Sequence, residues 1–310
     1  MRQTSNMTVV ARWRKELAVA RERRRQTGLG GLLATRFMGR VALHLILVVA
    51  GFTFLVPLLW VLSTSLKRSS EVFIVPVQWI PRRPRWTNYQ EIFTLFPMAR
   101  FIANTAIVSV LGTLGSIFSA LLVGYGLARL RWPGRETVFS VLLATMMLPG
   151  VVTMVPTFIL FKYLHWLDTW LPLFVPSWFG GAFYIFLVRQ FMAGLPIELD
   201  EAARMDGAGT FTIIWRIIAP LCGPVLATVG IFSFLSHYND FMLPLIVLTT
   251  TERFTLAMGI NWLNGTWGNY ANWHLAMAAS TVSLVTPVAL FFIAQRYFIQ
   301  GIQLSGLAGR

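Results

Sequence analysis

Six apolar runs, each too long for an ordinary soluble core, dominate this chain: Val41–Leu66, Ile102–Leu130, Thr137–Leu164, Leu171–Met192, Leu221–Leu248 and Leu275–Phe298. About 20 apolar residues suffice to cross a bilayer as a helix. Inside hydrocarbon a backbone must satisfy its own hydrogen bonds, so such runs read as helices. Composition agrees: 56% of the 310 residues are hydrophobic and only 12% are charged, about half the ~25% of soluble domains. The expected fold class is all-α, a polytopic membrane helical bundle of six transmembrane helices. The single cysteine, Cys222, excludes an internal disulfide, and no Cys/His spacing suggests a metal site.

A formal net charge of +14 could point to nucleic acid, but its placement argues against that. Ten of the 26 basic residues precede position 41. Basic residues before a first span mark a cytoplasmic N-terminus held against anionic lipid. Six spans then return the C-terminus to the same side. With this orientation eighteen basic residues face the cytoplasm and eight face outward, which supports it. The first outer loop is unusually basic, and the N-terminal Arg cluster decides the matter. The first run starts too late, is too long and lacks a small-residue cleavage site, so it is not expected to be a signal peptide. The expected organisation is a basic cytoplasmic segment over 1–40, a six-span domain over 41–303 and a cytoplasmic tail over 304–310.

Several features suggest packing around a pathway. In the second span Gly112, Ser116, Ala120 and Gly124 recur every four residues, a smooth ridge for close helix contact; ordinary bundle packing explains it equally well. Pro149 and Pro156 interrupt the third span, and Pro172 and Pro176 open the fourth. Freed carbonyls at that depth need protein or a wet cavity beside them, so a pore lining and a simple kink both fit. The fifth span carries Ser233, Ser236, His237, Tyr238, Asn239 and Asp240, the candidate translocation pathway. The alternative for Asp240 is a helix cap or a side chain snorkelling to the headgroups. In the outer loop over 249–272, Asn261, Trp262, Asn264 and Trp267 mix aromatic faces with amides. That mixture suits sugar recognition, an interfacial aromatic belt or docking of a soluble partner.

The acidic residues are scarce, 12 in all, yet Glu198, Asp200, Glu201 and Asp206 gather in one loop between the fourth and fifth spans. Pro196 stops one helix. The segment D-E-A-A-R-M then has good helix propensity, with acids in the first turn where they favour the helix dipole. Gly207 and Gly209 end it, and Phe211–Ile218 forms a second short amphipathic piece before Pro220. A small polar helix projecting from a bundle on the cytoplasmic side is built to contact something.

Glu201-Ala202-Ala203, three residues, Gly207, nine residues, Ile217, one residue and Ala219-Pro220 resembles the E-A-A–x3–G–x9–I–x–L–P signature. That signature marks the integral membrane permease subunits of ATP-binding-cassette importers. Ala219 stands where the family usually has Leu and keeps the site apolar. Tyr238-Asn239-Asp240-Phe241 and the tail Gln295–Ile302 resemble segments of carbohydrate importer permeases. Together they are similar to the MalG-like subunit of the maltose-type group, over roughly Val41 to Gln303. The stretch before Val41 is longer than expected for the group and lies outside the resemblance.

The resemblance implies an ABC type I importer permease (MetI-like) fold in a bacterial or archaeal inner membrane. The loop over 196–220 would be the coupling loop, seated in a cytoplasmic ATPase. Its implied residues are Glu201, Ala202, Ala203, Asp206, Gly207, Ile217 and Pro220, with Glu201 offering charge, both alanines close approach and Gly207 the turn. Implied partners are a second permease subunit, two ATPase subunits and an extracytoplasmic solute-binding protein. No G-x-x-x-x-G-K-[ST] loop is present, so the chain is expected to be non-catalytic, with no cofactor of its own and ATP-Mg in the partner subunits. The expected cargo is a sugar or oligosaccharide. A non-carbohydrate solute on the same fold is the alternative. An ion-coupled secondary transporter would need intramembrane ionisable residues, and only Asp240 qualifies.

Overall fold

The computed structural model describes residues 38–265 and 272–307. Trp267, one of the docking candidates, and the basic segment before Met38 lie outside the described residues. The chain divides into two units, residues 1–60 and 61–310. The first holds the opening turns of α1, Met38–Ser65, whose mean hydropathy of 2.7 and 28 residues give about 42 Å of apolar helix.

In the second unit the order is α2 Thr87–Thr94, α3 Met98–Ala128, α4 Arg135–Thr145, α5 Gly150–Tyr163, α6 Leu171–Phe174, a 3₁₀ turn Val175–Phe179 and α7 Ala182–Ala193. There follow α8 Glu198–Met205, α9 Thr210–Ile213, a π-helical turn Ile214–Ile218, α10 Ala219–Leu221, α11 Gly223–Tyr238, α12 Met242–Val247, α13 Leu256–Gly265 and α14 Trp273–Leu307. The described residues contain no strand. Among the described residues four helical segments are long and apolar enough to cross a membrane, and counting each of two bent pairs as one span makes six.

The bends fall where proline and glycine interrupt the apolar runs. Between α4 and α5 the chain turns by 101°, with Pro149 extended at φ −61°, ψ 133° just before α5. The third run is therefore two helices rather than the single one its hydropathy suggests. Pro156 sits inside α5 and does not end it. The fourth run is also divided: Pro172 opens α6, Pro176 opens the 3₁₀ turn, and α7 begins only after Gly180 and Gly181. Proline lacks the N–H that a helix interior requires but fits its first turn, which is why both sit there. At the start of the fifth run the segment Thr210–Leu221 meets α11 at 81°. Helix α11 ends at Tyr238, so α12 is a separate short element.

The proline-free α3 is the axis of the unit and packs against α7, α11 and the 3₁₀ turn. The small residues that recur along it make this possible. A Cβ at Gly112 would lie 2.3 Å from His237 Nε2, one at Gly115 would lie 2.4 Å from Trp178, and one at Gly124 would lie 2.9 Å from Val188. Ser116 accepts a 2.8 Å hydrogen bond from the Ser233 hydroxyl. The four-residue ridge is thus a surface of close approach, with α11 on Gly112 and Ser116 and α7 on Gly124. In lipid such contacts rest on dispersion and interhelical hydrogen bonds rather than on excluding water.

Two apolar cores lie at the two ends of α3. Near Met98 they include Phe96, Phe101, Phe161, Val247, Phe254, Leu256 and Leu263. Near Arg129 they include Leu121, Tyr125, Val188, Met192, Ala203, Ile213, Ile218 and Val229. The second core reaches into the loop between the fourth and fifth spans.

Candidate functional site

That loop folds as its sequence directs. Gly207 adopts φ +82°, a left-handed conformation that suits glycine. With it, the Gly207 N–H reaches the Arg204 carbonyl at 3.0 Å and the Ala208 N–H reaches the Ala203 carbonyl at 2.9 Å. This pair of bonds is the Schellman ending of a helix. Gly209, extended at ψ 159°, then precedes α9. The predicted helix, glycine turn and second helix are all present. The second is divided, because Ile214–Ile218 takes a π-helical turn.

The faces of α8 differ sharply. Glu201, Ala202, Arg204 and Met205 are exposed, together with Asp206 and Gly207 that follow. Only Asp200 and Ala203 of this helix are buried. Ala203 packs into the core beside Ile213 and Ile218, so of the two alanines only Ala202 lies on the outward face. Ile217 is half-buried and Pro220 exposed. Bulky apolar side chains join the exposed surface, with Met205 at 88% and Phe211 at 70% exposure.

Asp200 separates from the other three acids of this loop, which are exposed. It is fully buried, and its Oδ1 accepts a 2.8 Å hydrogen bond from the Tyr125 hydroxyl of α3. Arg129, just past α3, places Nε 3.7 Å from Asp200 Oδ2, with side-chain exposures of 4% and 1%. The same guanidinium donates through Nη2 to the Leu195 carbonyl at 2.8 Å. Neither Tyr125 nor Arg129 stood out in the sequence as a site residue. The signal was there: Tyr125 and the C-capping Arg129 are four apart at the end of α3, and Asp200 and Ala203 are three apart on α8, so each pair shares a helix face. Arg129, Leu130, Arg131, Trp132, Ile197, Glu201 and Arg204 line an open groove of about 520 Å³ at this junction.

The six polar residues of the fifth run do not form one cluster. Ser233 and His237 turn toward α3: His237 Nε2 lies 2.9 Å from Ser177 Oγ, and its Nδ1 lies 2.7 Å from the Ser233 carbonyl. The Tyr238 hydroxyl donates to the Ser283 carbonyl at 2.9 Å. Asp240 Oδ1 accepts from the Leu243 N–H at 3.3 Å and so caps α12. Ser236 and Asn239 are exposed. Of the docking candidates, Asn261 is exposed, whereas Trp262 packs edge-on against Phe96 and Phe101 at 5.9 and 6.4 Å between ring centres. Asn264 lies in α13.

A second carboxylate–arginine site sits at the other end of the span between residues 171 and 193. Asp168 takes φ +55°, which aspartate tolerates better than most residues. Its carboxylate accepts from the Thr249 N–H at 3.0 Å, the Thr250 N–H at 2.9 Å, the Thr250 hydroxyl at 2.6 Å and Arg253 Nη1 at 2.8 Å. Partial burial alone would raise its pKa. The Thr250 and Thr249 hydrogen bonds and the Arg253 charge outweigh that and hold it well below the usual carboxylate range. Beside this clamp, Asn104 of α3 donates to the carbonyls of Glu252 and Phe254, both at 2.9 Å. Thr105 Oγ1 accepts from the Leu256 N–H at 2.7 Å.

Residues 120–304 match the family of binding-protein-dependent transport system inner membrane components. The arabinooligosaccharides transport system permease protein AraQ of Bacillus subtilis is 33% identical over 87% of this chain and 96% of its own length. The sulfoquinovosyl glycerol transport system permease protein SmoH of Agrobacterium fabrum is 31% identical over 82% of this chain and 89% of its own. The sn-glycerol-3-phosphate transport system permease protein UgpE of Yersinia enterocolitica is 30% identical over 84% and 94%. In fold, the chain superposes with a TM-score of 0.75 on one chain of a bacterial ABC transporter involved in import of the polysaccharide alginate. The two are 23% identical, over 85% of this chain and 97% of the other.

Proposed function

The chain belongs to the family of binding-protein-dependent transport system inner membrane components, and we propose that it is the permease subunit of an ATP-driven importer of a sugar or oligosaccharide. A soluble binding protein delivers the solute on the outer side. Two cytoplasmic ATPase subunits, which hold the ATP-Mg, drive the cycle. A second permease subunit completes the pathway. The N- and C-termini face the cytoplasm, and Ser236 and Asn239 are the members of the fifth-run cluster left exposed to line the path.

One observation carries the coupling role: α8 is a short helix whose outward face carries Glu201, Ala202 and Arg204 and which ends in a glycine turn with open space around it. Such a helix fits a groove in a neighbouring protein as a rigid knob. Glu201 supplies the charge and Ala202 the close approach. Gly207 fixes where the knob ends. The cargo class rests on the relatives, whose names specify arabinooligosaccharides, sulfoquinovosyl glycerol and sn-glycerol-3-phosphate. Polyhydroxylated solutes are common to them.

Deletion of the chain should abolish uptake of labelled sugars in the source cell, with arabinotriose and sulfoquinovosyl glycerol as first probes. The wild-type gene should restore it and Gly207→Trp should not, although the ATPase still copurifies. Full ATP-driven uptake by Gly207→Trp would sink the coupling role. Loss of amino-acid or polyamine uptake on deletion, with sugars unaffected, would move the cargo outside carbohydrates.

A further inference from the structure

The exposed face of α8 can receive a push, but a push must be passed on. The side chains that α8 buries in the rest of the unit are Ala203 and Asp200, while Arg204 reaches the Tyr125 hydroxyl from the exposed face. A methyl group packed among Ile213, Ile218 and Leu121 is non-directional and can slide. A carboxylate held at 2.8 Å by a phenolic hydroxyl cannot slide without breaking its bond. Arg129 grips the same junction from the other side, through the Leu195 carbonyl ahead of α8.

The Arg129–Asp200 contact is also incomplete. Nε and Oδ2 lie 3.7 Å apart, and each lacks a hydrogen-bond partner among the described residues. A charge-assisted N–H···O bond closes at about 2.7–2.9 Å, so a shift of roughly 1 Å between α8 and α3 makes or loses it. Both atoms are buried, where solvent does not offer a substitute.

The other end of α3 is fastened just as directionally. Asn104 holds the Glu252 and Phe254 carbonyls, and Thr105 holds the Leu256 N–H. From Asn104 to Ala128, next to Arg129, a continuous helix spans about 36 Å, with no proline to absorb a displacement. We infer that α3 is a strut and Asp200 the pin that joins it to α8, so that motion of the coupling loop is delivered along α3 to the segment Glu252–Leu256 at its far end. This rests on α8 being the ATPase contact. Asp200 acts here as a positioning residue, neither touching solute nor facing the partner.

The test uses the whole transporter in nanodiscs, with a Glu252→Cys reporter in a Cys222→Ser background. The readout is the rate of maleimide labelling at position 252, without nucleotide and after trapping with ATP and vanadate. Trapping should change the rate at least fivefold when Asp200 is intact. Asp200→Asn should reduce that change to less than twofold while vanadate still traps nucleotide. A purely structural role would lower yield or melting temperature and leave the trapped-to-resting ratio unchanged. Tyr125→Phe removes one hydroxyl from a packed ring and serves if Asp200→Asn fails to assemble; it should at least halve the change. A wild-type labelling change in both variants would overturn the pin. A wild-type chain that copurifies with no ATPase would overturn the coupling assignment itself, and the pin with it.

Discussion

Asp168 and Asp200 stand at opposite ends of one span, each beside an arginine, and are held in contrasting ways. Asp168 is partly exposed, and its carboxylate collects four hydrogen bonds from the segment 249–253. Asp200 is fully buried, receives one hydroxyl, and leaves Oδ2 short of its arginine. A partly exposed carboxylate with several donors is a clamp, because losing one donor leaves others and water to replace it. A buried carboxylate with one donor and a half-made ion pair has no such reserve. The saturated site suits a loop that must stay in place. The unsaturated one suits a joint whose geometry changes.

The largest effect should come from breaking the buried site. Arg129→Leu leaves the Asp200 charge buried without its counter-ion, a change that typically costs about 3–5 kcal/mol. Much of the chain should then fail to accumulate in membranes, as quantitative fluorescence-detected chromatography of a tagged chain would show. Arg129→Leu combined with Asp200→Leu removes both charges and should recover most of the loss. If the single variant accumulates normally, the pair is not the buried ionic contact described.

Next in size is Gly112→Ala, between the two sites. The added methyl would sit 2.3 Å from His237 Nε2, so α11 must move away, at about 1–3 kcal/mol. Gly126→Ala, with nothing within 4 Å, is the control and should leave the melting temperature unchanged or slightly higher. Equal effects at both positions would show that α3 and α11 are not in close contact.

The sequence made some of this contrast legible and hid the rest for a physical reason. Long apolar runs, the four-residue ridge and the glycine turn are local properties, and each appears in the structure. Pro149 advertised a break, but no local pattern encodes its angle of 101°. The π-helical turn over Ile214–Ile218 carries no marker, since those residues suit an α-helix equally well. The burial of Asp200 is invisible in the sequence because its partners Tyr125 and Arg129 lie more than seventy residues away at the end of α3, and charge beside charge in a loop looks like surface. Trp262 was read as an outward-facing aromatic and instead packs beside Phe96, Phe101 and Phe254. A single sequence cannot separate those environments.

The smallest effect should be at the clamp, and pH separates it from the pin. Asparagine tolerates the φ of +55° at position 168 as well as aspartate does, so Asp168→Asn removes the charge without straining the backbone. Partial exposure and salt screening limit the loss to about 1–2 kcal/mol, a drop of a few degrees in melting temperature. The Asp168 carboxyl binds its proton less readily in the folded chain than at its ordinary value of 3.8. Its contribution is therefore complete above about pH 5, begins to fade as pH falls through 3.8, and is lost as the folded carboxyl protonates. The melting-temperature gap between wild type and Asp168→Asn should stay constant from pH 8 to about pH 5 and narrow only in stronger acid. A gap that already closes between pH 7 and pH 5 would mean that the four donors do not hold the carboxylate in the folded chain, and the contrast with Asp200 would fail.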